Sequence, residues 1–294
     1  MRILHFTDVH VPAPFRLIPL GELLNKRLLG ALNTRLRRLH KFALALEKLQ
    51  HLDAFRRDHE VDLVLCTGDY TVLGTEAEYR IAKAAVAPLM EAPLGYVHVP
   101  GNHDLYLPDT VQQQRFERAF PDSLRTDLPE FLADGPWPFV RLVGDEAAIV
   151  GVNSARPNPQ IWRSSGRVPQ PQVAMLPRIL SDERVAGRFV FILTHYGVRR
   201  ENGQPDSTLH GMENSDELLL ACSVLRRGAL LHGHIHRCFH LEVDGIHVFN
   251  AGSTTYAGRE GFWLFDVNGR DVTATRGRYV DGRYVLDPRE SHDL

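Results

Sequence analysis

The amino-acid sequence predicts an α/β fold in which buried strands alternate with helices. Short apolar runs rich in β-branched and aromatic residues recur through the first 236 residues, and most of them end in a polar cluster. Stretches with helical periodicity lie between these runs, and strands that alternate with helices indicate an α/β architecture. The length of 294 residues allows one large core, so we expect a single domain over residues 1–294.

Six runs predict the strands of this fold, and four stretches predict its helices. The strands are expected at RILHFT, VDLVLCTG, GYVHVPG, AAIVGVNS, RFVFILTH and ALLHGHIH. The helices are expected at residues 35–59, 75–91, 170–180 and 214–227. From His240 to Leu286 the pattern changes, because alternating apolar residues flank Asp-Gly and Asn-Gly turns, as they do in β-hairpins. We expect these antiparallel strands to complete the same core.

Composition argues against several classes of protein. With 34 basic and 36 acidic residues the formal net charge is -2, so no nucleic-acid partner is expected. Cys66, Cys222 and Cys238 form no CxxC pair, which argues against a disulfide framework and favours a reducing cytoplasm. No apolar run approaches the roughly 20 residues that span a bilayer, and the N-terminus lacks a signal-peptide core. We therefore expect a soluble cytoplasmic protein; its oligomeric state does not follow from the sequence.

Carboxylate, amide and imidazole side chains follow directly after five of the six predicted strands. Ligands of open α/β sheets bind at the carboxyl ends of the strands, so we expect these side chains to converge. The candidate ligands are Asp8, His10, Asp69, Asn102, His195, His234 and His236. Mixed oxygen and nitrogen donors suit Mn, Fe or Zn better than calcium, and seven ligands are too many for one tetrahedral zinc. Two divalent ions that share Asp69 would use them all.

Each pattern also has a structural explanation when it is taken alone. DVH is compatible with ordinary hydrogen bonding, GNHD with a turn whose glycine supplies the conformation, and GHIH with an exposed strand. The ordered combination favours the metal site. Asp8 and His10 are two residues apart, so a strand would point both to the same side. Three histidines within strands are expected to be packed, with satisfied hydrogen bonds: His5, His98 and His232.

The ordered blocks DVH, GDY, GNHD, TH and GHIH resemble the five blocks of the calcineurin-like metallophosphoesterases, from Asp8 to His236. The resemblance implies a four-layer α/β/β/α sandwich with two metal ions at one edge. By position it implies that Asp8, His10, Asp69 and His236 bind the first ion, and that Asp69, Asn102, His195 and His234 bind the second. GDYTVLGTEAEY and NAGS are similar to the bacterial cyclic-nucleotide phosphodiesterase-like branch.

Three departures from related groups narrow the expected substrate. TVLG follows GDY where protein Ser/Thr phosphatases carry an acidic and a basic residue, which disfavours a protein substrate. Val72 stands where purple acid phosphatases carry a ligand tyrosine. His103 stands where the best-known lipid A pathway pyrophosphatases carry an arginine, which argues against that narrow subtype without excluding a lipid-linked substrate.

The chemistry of phosphoester hydrolysis assigns roles to the GNHD block. Two metal ions can convert a bridging water into a hydroxide nucleophile and neutralise the phosphoryl oxygens. His103 lies beside Asn102, so both are expected to contact the substrate, and His103 is expected to act as a general acid that contributes about 10² to 10⁴ in rate. Asp104 is expected to hold the His103 tautomer.

The predicted function is a binuclear phosphoesterase, and a phosphodiesterase is favoured over a monoesterase. The expected substrate is a small phosphodiester or a nucleotide-type compound. Two alternatives remain open, a pyrophosphatase of a nucleotide-linked lipid precursor and a non-catalytic scaffold with the same fold.

A basic, leucine-rich insertion at about residues 11–41 separates the first ligands from the first long helix. Residues 25–41 contain six basic residues and no acidic residue, with leucines at helical spacing. One interpretation is a solvated basic face over a leucine stripe that packs on the core. The other is a cap beside the metals that contacts anionic lipid at a membrane surface or a phosphorylated substrate. The residues concerned are Lys26, Arg27, Leu28, Leu32, Arg35, Leu36, Arg37, Arg38, Leu39 and Lys41.

Overall fold

Two six-stranded sheets form the centre of the computed structural model, which describes residues 1–23 and 25–294 but not the side chains of residues 37–39 and 123. The strands in chain order are β1 (Arg2–Phe6), β2 (Leu63–Cys66), β3 (Tyr96–His98), β4 (Phe139–Val143), β5 (Ala147–Gly151), β6 (Phe189–Leu193), β7 (Gly228–His232), β8 (Cys238–Val243), β9 (Ile246–Ala251), β10 (Phe262–Asn268), β11 (Asp271–Val280) and β12 (Arg283–Asp293). All six predicted strands are therefore present. β4 was not predicted.

The four predicted helices are also present; three are shorter than expected, and the one expected at 170–180 extends to Ser181. The α-helices in chain order are α1 (Leu20–Leu23), α2 (Lys26–Asn33), α3 (Ala45–Asp58), α4 (Glu76–Val86), α5 (Pro108–Gln112), α6 (Arg115–Ala119), α7 (Gln170–Ser181), α8 (Glu183–Ala186) and α9 (Ser215–Cys222). The helix expected at 35–59 begins only at Ala45, because residues 34–42 form π- and 3-10-helical turns. α4 begins at a capping box, in which Thr75 and Glu78 each bond the other's backbone N–H.

The two sheets combine parallel centres with antiparallel edges. The first has the order β12-β11-β10-β1-β2-β3, and β1, β2 and β3 are parallel. The second has the order β4-β5-β6-β7-β9-β8, and the run from β5 to β9 is parallel. The predicted hairpins of the tail are confirmed, since β8 pairs with β9 and β10 to β12 form a meander. The tail contributes strands to both sheets.

Alternating side chains build the four layers of the α/β/β/α sandwich. In β1, Ile3 packs in the core between the two sheets, whereas Leu4 packs in the outer core beneath α3 and α4. In β5, Ile149 lies in the central core and Val150 lies beneath α7 and α9. Because helices cover the outer face of each sheet, the parallel strands are apolar on both faces, as the continuous runs in the sequence predicted. The sandwich that the resemblance implied is confirmed.

The insertion places its leucines outward, which contradicts the interpretation of a core-packing leucine stripe. Leu28, Leu32 and Leu36 are 41%, 43% and 77% exposed. The opposite side of α2, with Arg27 and Ala31, is buried instead. The predictions for Arg37, Arg38 and Leu39 concern side chains that lie outside the described residues. Within the described part of the chain, no helix is long and apolar enough to cross a membrane.

Candidate metal centre

The predicted ligands follow the C-terminal ends of β1, β2, β3, β6 and β7. Five of the nine described non-glycine residues with positive φ are among them: Asp8, His10, Asp69, His234 and His236. This left-handed conformation costs about 1 kcal/mol or more per residue, so the packing around each turn must enforce it. Asp8 and His10 lie beyond β1 in this conformation, so the strand period does not orient them. That part of the sequence argument is wrong, although the side chains do converge.

The first cluster combines Asp8, His10 and His236, whose ligand atoms lie within 4.8 Å of one another. Oδ1 of Asp8 is 2.8 Å from Nε2 of His236 and 3.4 Å from Nε2 of His10. Oδ2 of Asp8 instead accepts bonds from the backbone N–H of His234 at 2.9 Å and from the hydroxyl of Thr7 at 2.8 Å. One carboxylate oxygen is thus fixed by the protein, and the other faces the two imidazoles.

The second cluster combines Asn102, His195 and His234. The amide Oδ1 of Asn102 is 3.0 Å from Nε2 of His195 and 2.9 Å from Nδ1 of His234. The amide Nδ2 donates to the hydroxyl of Ser164 at 3.3 Å, which leaves Oδ1 facing the two rings. All three ligand side chains are buried.

Asp69 lies between the two clusters and connects them. Its Oδ2 is 3.4 Å from Nε2 of His195 and 3.7 Å from Nε2 of His10. Its Oδ1 accepts the backbone N–H of His103 at 2.8 Å. Gly101 is required by close approach, because a Cβ there would lie 2.0 Å from Oδ1 of Asp69. This is the arrangement expected of a carboxylate that bridges two ions.

The imidazoles are held in tautomers that suit metal ligands. Nδ1 of His10 and His195 donate to the carbonyl oxygens of Thr71 and Thr67 at 3.1 and 2.7 Å, so each neutral ring keeps a lone pair on Nε2. Nε2 of His234 donates to the carbonyl oxygen of His210 at 2.9 Å, which leaves the lone pair on Nδ1. These lone pairs face carboxylate and amide oxygens.

Lone pairs that face oxygen atoms repel them unless a positive charge lies between them. This set of candidate ligands therefore fits metal cations. Its nitrogen and oxygen atoms match the borderline ions Mn, Fe and Zn.

The electrostatics of the centre also favour cations. Without an ion, a proton supplies this positive charge: burial alone would lower the pKa of His195, but the attraction of Asp69 and Asp8 outweighs burial and raises the pKa to about 9, and a metal ion would displace that proton from Nε2. Burial would raise the pKa of Asp69, but His195 and His103 hold it below its usual range. The pKa of Asp8 is also low, because His236 and His10 offset its burial. The buried carboxylates thus remain ionised and bind positive charge.

The predicted hydrogen bond between Asp104 and the His103 ring is wrong. Oδ2 of Asp104 accepts the backbone N–H groups of Asp69 and Gly101, both at 2.9 Å. Oδ1 accepts those of Tyr70 at 3.0 Å and of residue 71 at 3.1 Å. Nδ1 of His103 donates instead to the carbonyl oxygen of residue 72 at 2.6 Å. The carboxylate therefore fixes the backbone of the ligand loops, because main-chain donors surround it.

A cavity of about 360 Å³ opens over the two clusters. Besides ligands and His103, it is lined by Lys26, Tyr106, Arg163 and His210. Nζ of Lys26 donates to the carbonyl oxygen of Asn158 at 2.6 Å and lies 4.8 Å from the Tyr106 ring centre. The insertion thus reaches the cavity through Lys26.

Sequence reasoning missed His210 as a residue of the site. Its ring centre is 4.4 Å from that of His234, and its carbonyl oxygen accepts the bond that orients His234. Nδ1 of His210 lies 2.7 Å from the carboxylate of Asp206. No predicted strand ends before His210, so no sequence signal indicated its position.

Comparison with known proteins agrees with this architecture. The family model of the calcineurin-like phosphoesterases matches residues 1–238. A dimetal phosphatase from Danio rerio superposes with a TM-score of 0.64 at 13% sequence identity, over 97% of this chain and 98% of that chain. The purple acid phosphatase PPD1 from yellow lupin (Lupinus luteus) seeds gives a TM-score of 0.60 at 13% identity, over 100% of this chain and 53% of the lupin chain. At these identities the likeness concerns the fold alone. A search of curated proteins found no similar sequence.

Proposed function

We propose that this chain, which belongs to the calcineurin-like phosphoesterase family, is a phosphodiesterase that uses two divalent metal ions. The position of Asp69 carries the proposal, because Oδ2 lies between His195 at 3.4 Å and His10 at 3.7 Å. A carboxylate in this position can share its charge between two cations. The donor set supports Mn, Fe or Zn as these ions, and their availability in the cell would decide among them.

Bound together, two such ions would activate water and neutralise charge on the phosphoryl oxygens. The chain itself supplies the geometry. Asp8 and Asn102 each have one polar atom fixed by protein donors or acceptors and present the other to the centre. The bonds from His10 and His195 to backbone carbonyls prevent ring rotation. These side chains therefore need little reorganisation when the substrate binds, which favours catalysis.

His103 is proposed as the general acid for the leaving oxygen. Its backbone N–H bonds Asp69 at 2.8 Å, which holds the residue beside the bridging carboxylate. Because Nδ1 donates to the carbonyl oxygen of Val72, proton transfer falls to Nε2. The ring also lies 5.0 Å, between centres, from that of His10 and lines the cavity. An acid at this position would contribute about 10² to 10⁴ in rate.

The charge of the cavity supports a diester over a monoester. A phosphate diester carries one negative charge, whereas a monoester carries up to two near neutral pH. Of the cationic side chains that line the cavity, Arg163 is already paired with Glu213. Nζ of Lys26 already donates to the carbonyl oxygen of Asn158 at 2.6 Å, so this amine is engaged by the protein. A singly charged, small or nucleotide-type diester therefore suits the cavity better.

The chain is proposed to work in a reducing compartment such as the cytoplasm. Cys66, Cys222 and Cys238 are free thiols, and the first two are buried. Burial raises the pKa of Cys66 to about 12, so this thiol is unreactive.

Metal loading combined with an assay on soluble esters tests this function. Protein loaded with Mn²⁺ is expected to hydrolyse bis-p-nitrophenyl phosphate faster than p-nitrophenyl phosphate, and chelation should abolish turnover. Asp69→Asn should lose turnover and bind both ions more weakly by calorimetry. Asp145→Asn, on the exposed β4–β5 turn, is the matched control. Full activity of Asp69→Asn would contradict the role of Asp69 as a ligand shared by two ions. A wild-type protein that binds both ions but hydrolyses neither ester would favour the non-catalytic scaffold.

A further inference from the structure

Helix α2 exposes its leucines to solvent instead of burying them against the core. Leu28, Leu29 and Leu32 face outward and are exposed, and Leu36 continues the row at a spacing of four residues. Soluble helices normally turn such leucines toward the core. Half of the exposed large apolar side chains among the described residues lie within residues 15–46. Such a concentration of exposed apolar residues is typical of a surface that contacts a partner or a membrane.

The inner face of α2 is fixed, so the leucines cannot turn inward. The guanidinium of buried Arg27 forms two parallel bonds with Asp109, at 2.8 and 2.9 Å, and donates to the carbonyl oxygen of Leu73 at 2.9 Å. One turn later Gly30 packs against Tyr106, where a Cβ would lie 2.7 Å from the phenolic oxygen. A bidentate buried ion pair and a glycine contact define one orientation of the helix. The outward leucines are therefore a property of the folded state.

Exposed apolar residues also lie in the loop that Lys26 contacts, beside the cavity over the metal ligands. Ile161 lines this cavity, and the neighbouring Trp162 is 70% exposed. The bond from Lys26 to the carbonyl oxygen of Asn158 joins the insertion to this loop. The exposed apolar residues of α2, of the turn after it and of this loop are together called the apolar collar: Leu28, Leu29, Leu32, Leu36, Ile161 and Trp162. Exposed tryptophan and leucine residues are typical of surfaces that enter a lipid interface.

The charge beside the collar specifies an anionic surface. Arg16 and Arg35 are exposed, and residues 25–41 contain no acidic residue. The acidic side chains packed near α2, Glu22 and Asp109, already pair with Arg115. Basic residues beside exposed leucines attract anionic lipids, whereas a protein partner would need a complementary acidic groove.

We propose that the apolar collar inserts into the surface of an anionic bilayer and that the metal centre hydrolyses phosphoesters carried by membrane lipids. Lys26 of α2 and Ile161 line the cavity over the metal ligands, so docking of the collar brings lipid head groups to the side of the two clusters. The substrate class rests on the proposed function, whereas the docking does not.

Vesicle flotation tests the docking. The metal-loaded protein should float with phosphatidylcholine vesicles that contain phosphatidylglycerol, and less with phosphatidylcholine alone or at high salt. Leu28→Glu/Leu32→Glu should weaken binding at least about ten-fold, since burial of one leucine alone changes an equilibrium by about that factor. Leu94→Glu/Leu220→Glu is the control, because both leucines are exposed and Leu94 lies just before β3, at the sheet end opposite the metal ligands. Equal flotation of both variants, or none of the wild type, would overturn the proposal.

Activity assays separate this proposal from the proposed function. The Leu28→Glu/Leu32→Glu variant should keep wild-type turnover of soluble bis-p-nitrophenyl phosphate and lose hydrolysis of vesicle-borne phospholipid, measured by released phosphorus compounds. A protein that floats but hydrolyses neither substrate would refute the phosphoesterase and leave the docking intact. A protein that hydrolyses only the soluble ester while bound to vesicles would refute the lipid substrate. Loss of self-association in this variant without wild-type flotation would identify a dimer surface instead.

Discussion

The Asp104→Asn variant tests whether this buried carboxylate organises the ligand loops. Its Oδ2 accepts two backbone N–H groups, of Asp69 and Gly101, and its Oδ1 accepts two more, of Tyr70 and Thr71. A side-chain amide has an oxygen on one side only. In either orientation of the asparagine, two main-chain donors therefore face an NH₂ group and lose their acceptor. The affected loops carry Asp69 and the GNHD block.

The expected loss of stability follows from these bonds. A buried donor without an acceptor costs about 1–3 kcal/mol, so two of them cost about 2–6 kcal/mol. Burial and the neighbouring charge of Asp69 raise the pKa of Asp104 to about 7, which shows that its own charge is unfavourable there. Removing that charge offsets part of the loss. We expect the free energy of unfolding to fall by about 3 kcal/mol.

Urea denaturation followed by circular dichroism measures this change, and calorimetry measures the affinity for Mn²⁺, which should also fall. The exposed Asp145→Asn control should stay within about 0.5 kcal/mol of the wild type. The reasoning is refuted if Asp104→Asn keeps its stability and metal affinity but loses activity selectively on esters with poor leaving groups. That result would mean that Asp104 acts through His103 after all.

Three further changes test the site and its surroundings. His103→Ala should lose about 10² to 10⁴ in kcat on alkyl phosphodiesters and much less on nitrophenyl esters, which leave without protonation; equal losses would exclude the acid role. His98 is buried with its pKa lowered to about 3, so it stays neutral in the folded state while the unfolded imidazole gains a proton below about pH 6.5. Its contribution is present above that pH and is lost on acidification, by about 2 kcal/mol between pH 6.5 and 5. His98→Phe should flatten the pH dependence of urea unfolding there, and an unchanged slope would contradict this. Gly233→Ala would place a Cβ 2.3 Å from Oδ2 of Asp8, so it should release metal in a calorimetric titration, and wild-type affinity would show that the loop yields.

The hydrogen bonds of the packed histidines were not predicted correctly from the sequence. His5, His98 and His232 were expected to have satisfied hydrogen bonds, but each has one ring nitrogen without a hydrogen-bond partner among the described residues. Burial lowers the pKa of His5 to about 3 and that of His232 to about 4, so both rings stay neutral. The sequence indicated that they are buried. It did not indicate which ring atoms would find a partner, because the partners come from other strands.

The sequence by itself determined the parallel strands and the candidate ligands. Apolar runs that end in DVH, GDY, GNHD, TH and GHIH are local signals, and the carboxyl ends of parallel strands meet at one edge by the geometry of the sheet. Both conclusions need only the order of residues along each strand. They did not require any knowledge of side-chain contacts between distant parts of the chain.

Only the tertiary structure decided the role of Asp104 and the direction of the leucines in α2. Asp104 lies beside His103 in the sequence, but four backbone N–H groups from two loops surround its carboxylate. The helical spacing of the leucines defines a face without saying which way that face points. The pairing of Arg27 with Asp109, 82 residues away, decides the direction, because a buried guanidinium must keep its carboxylate partner.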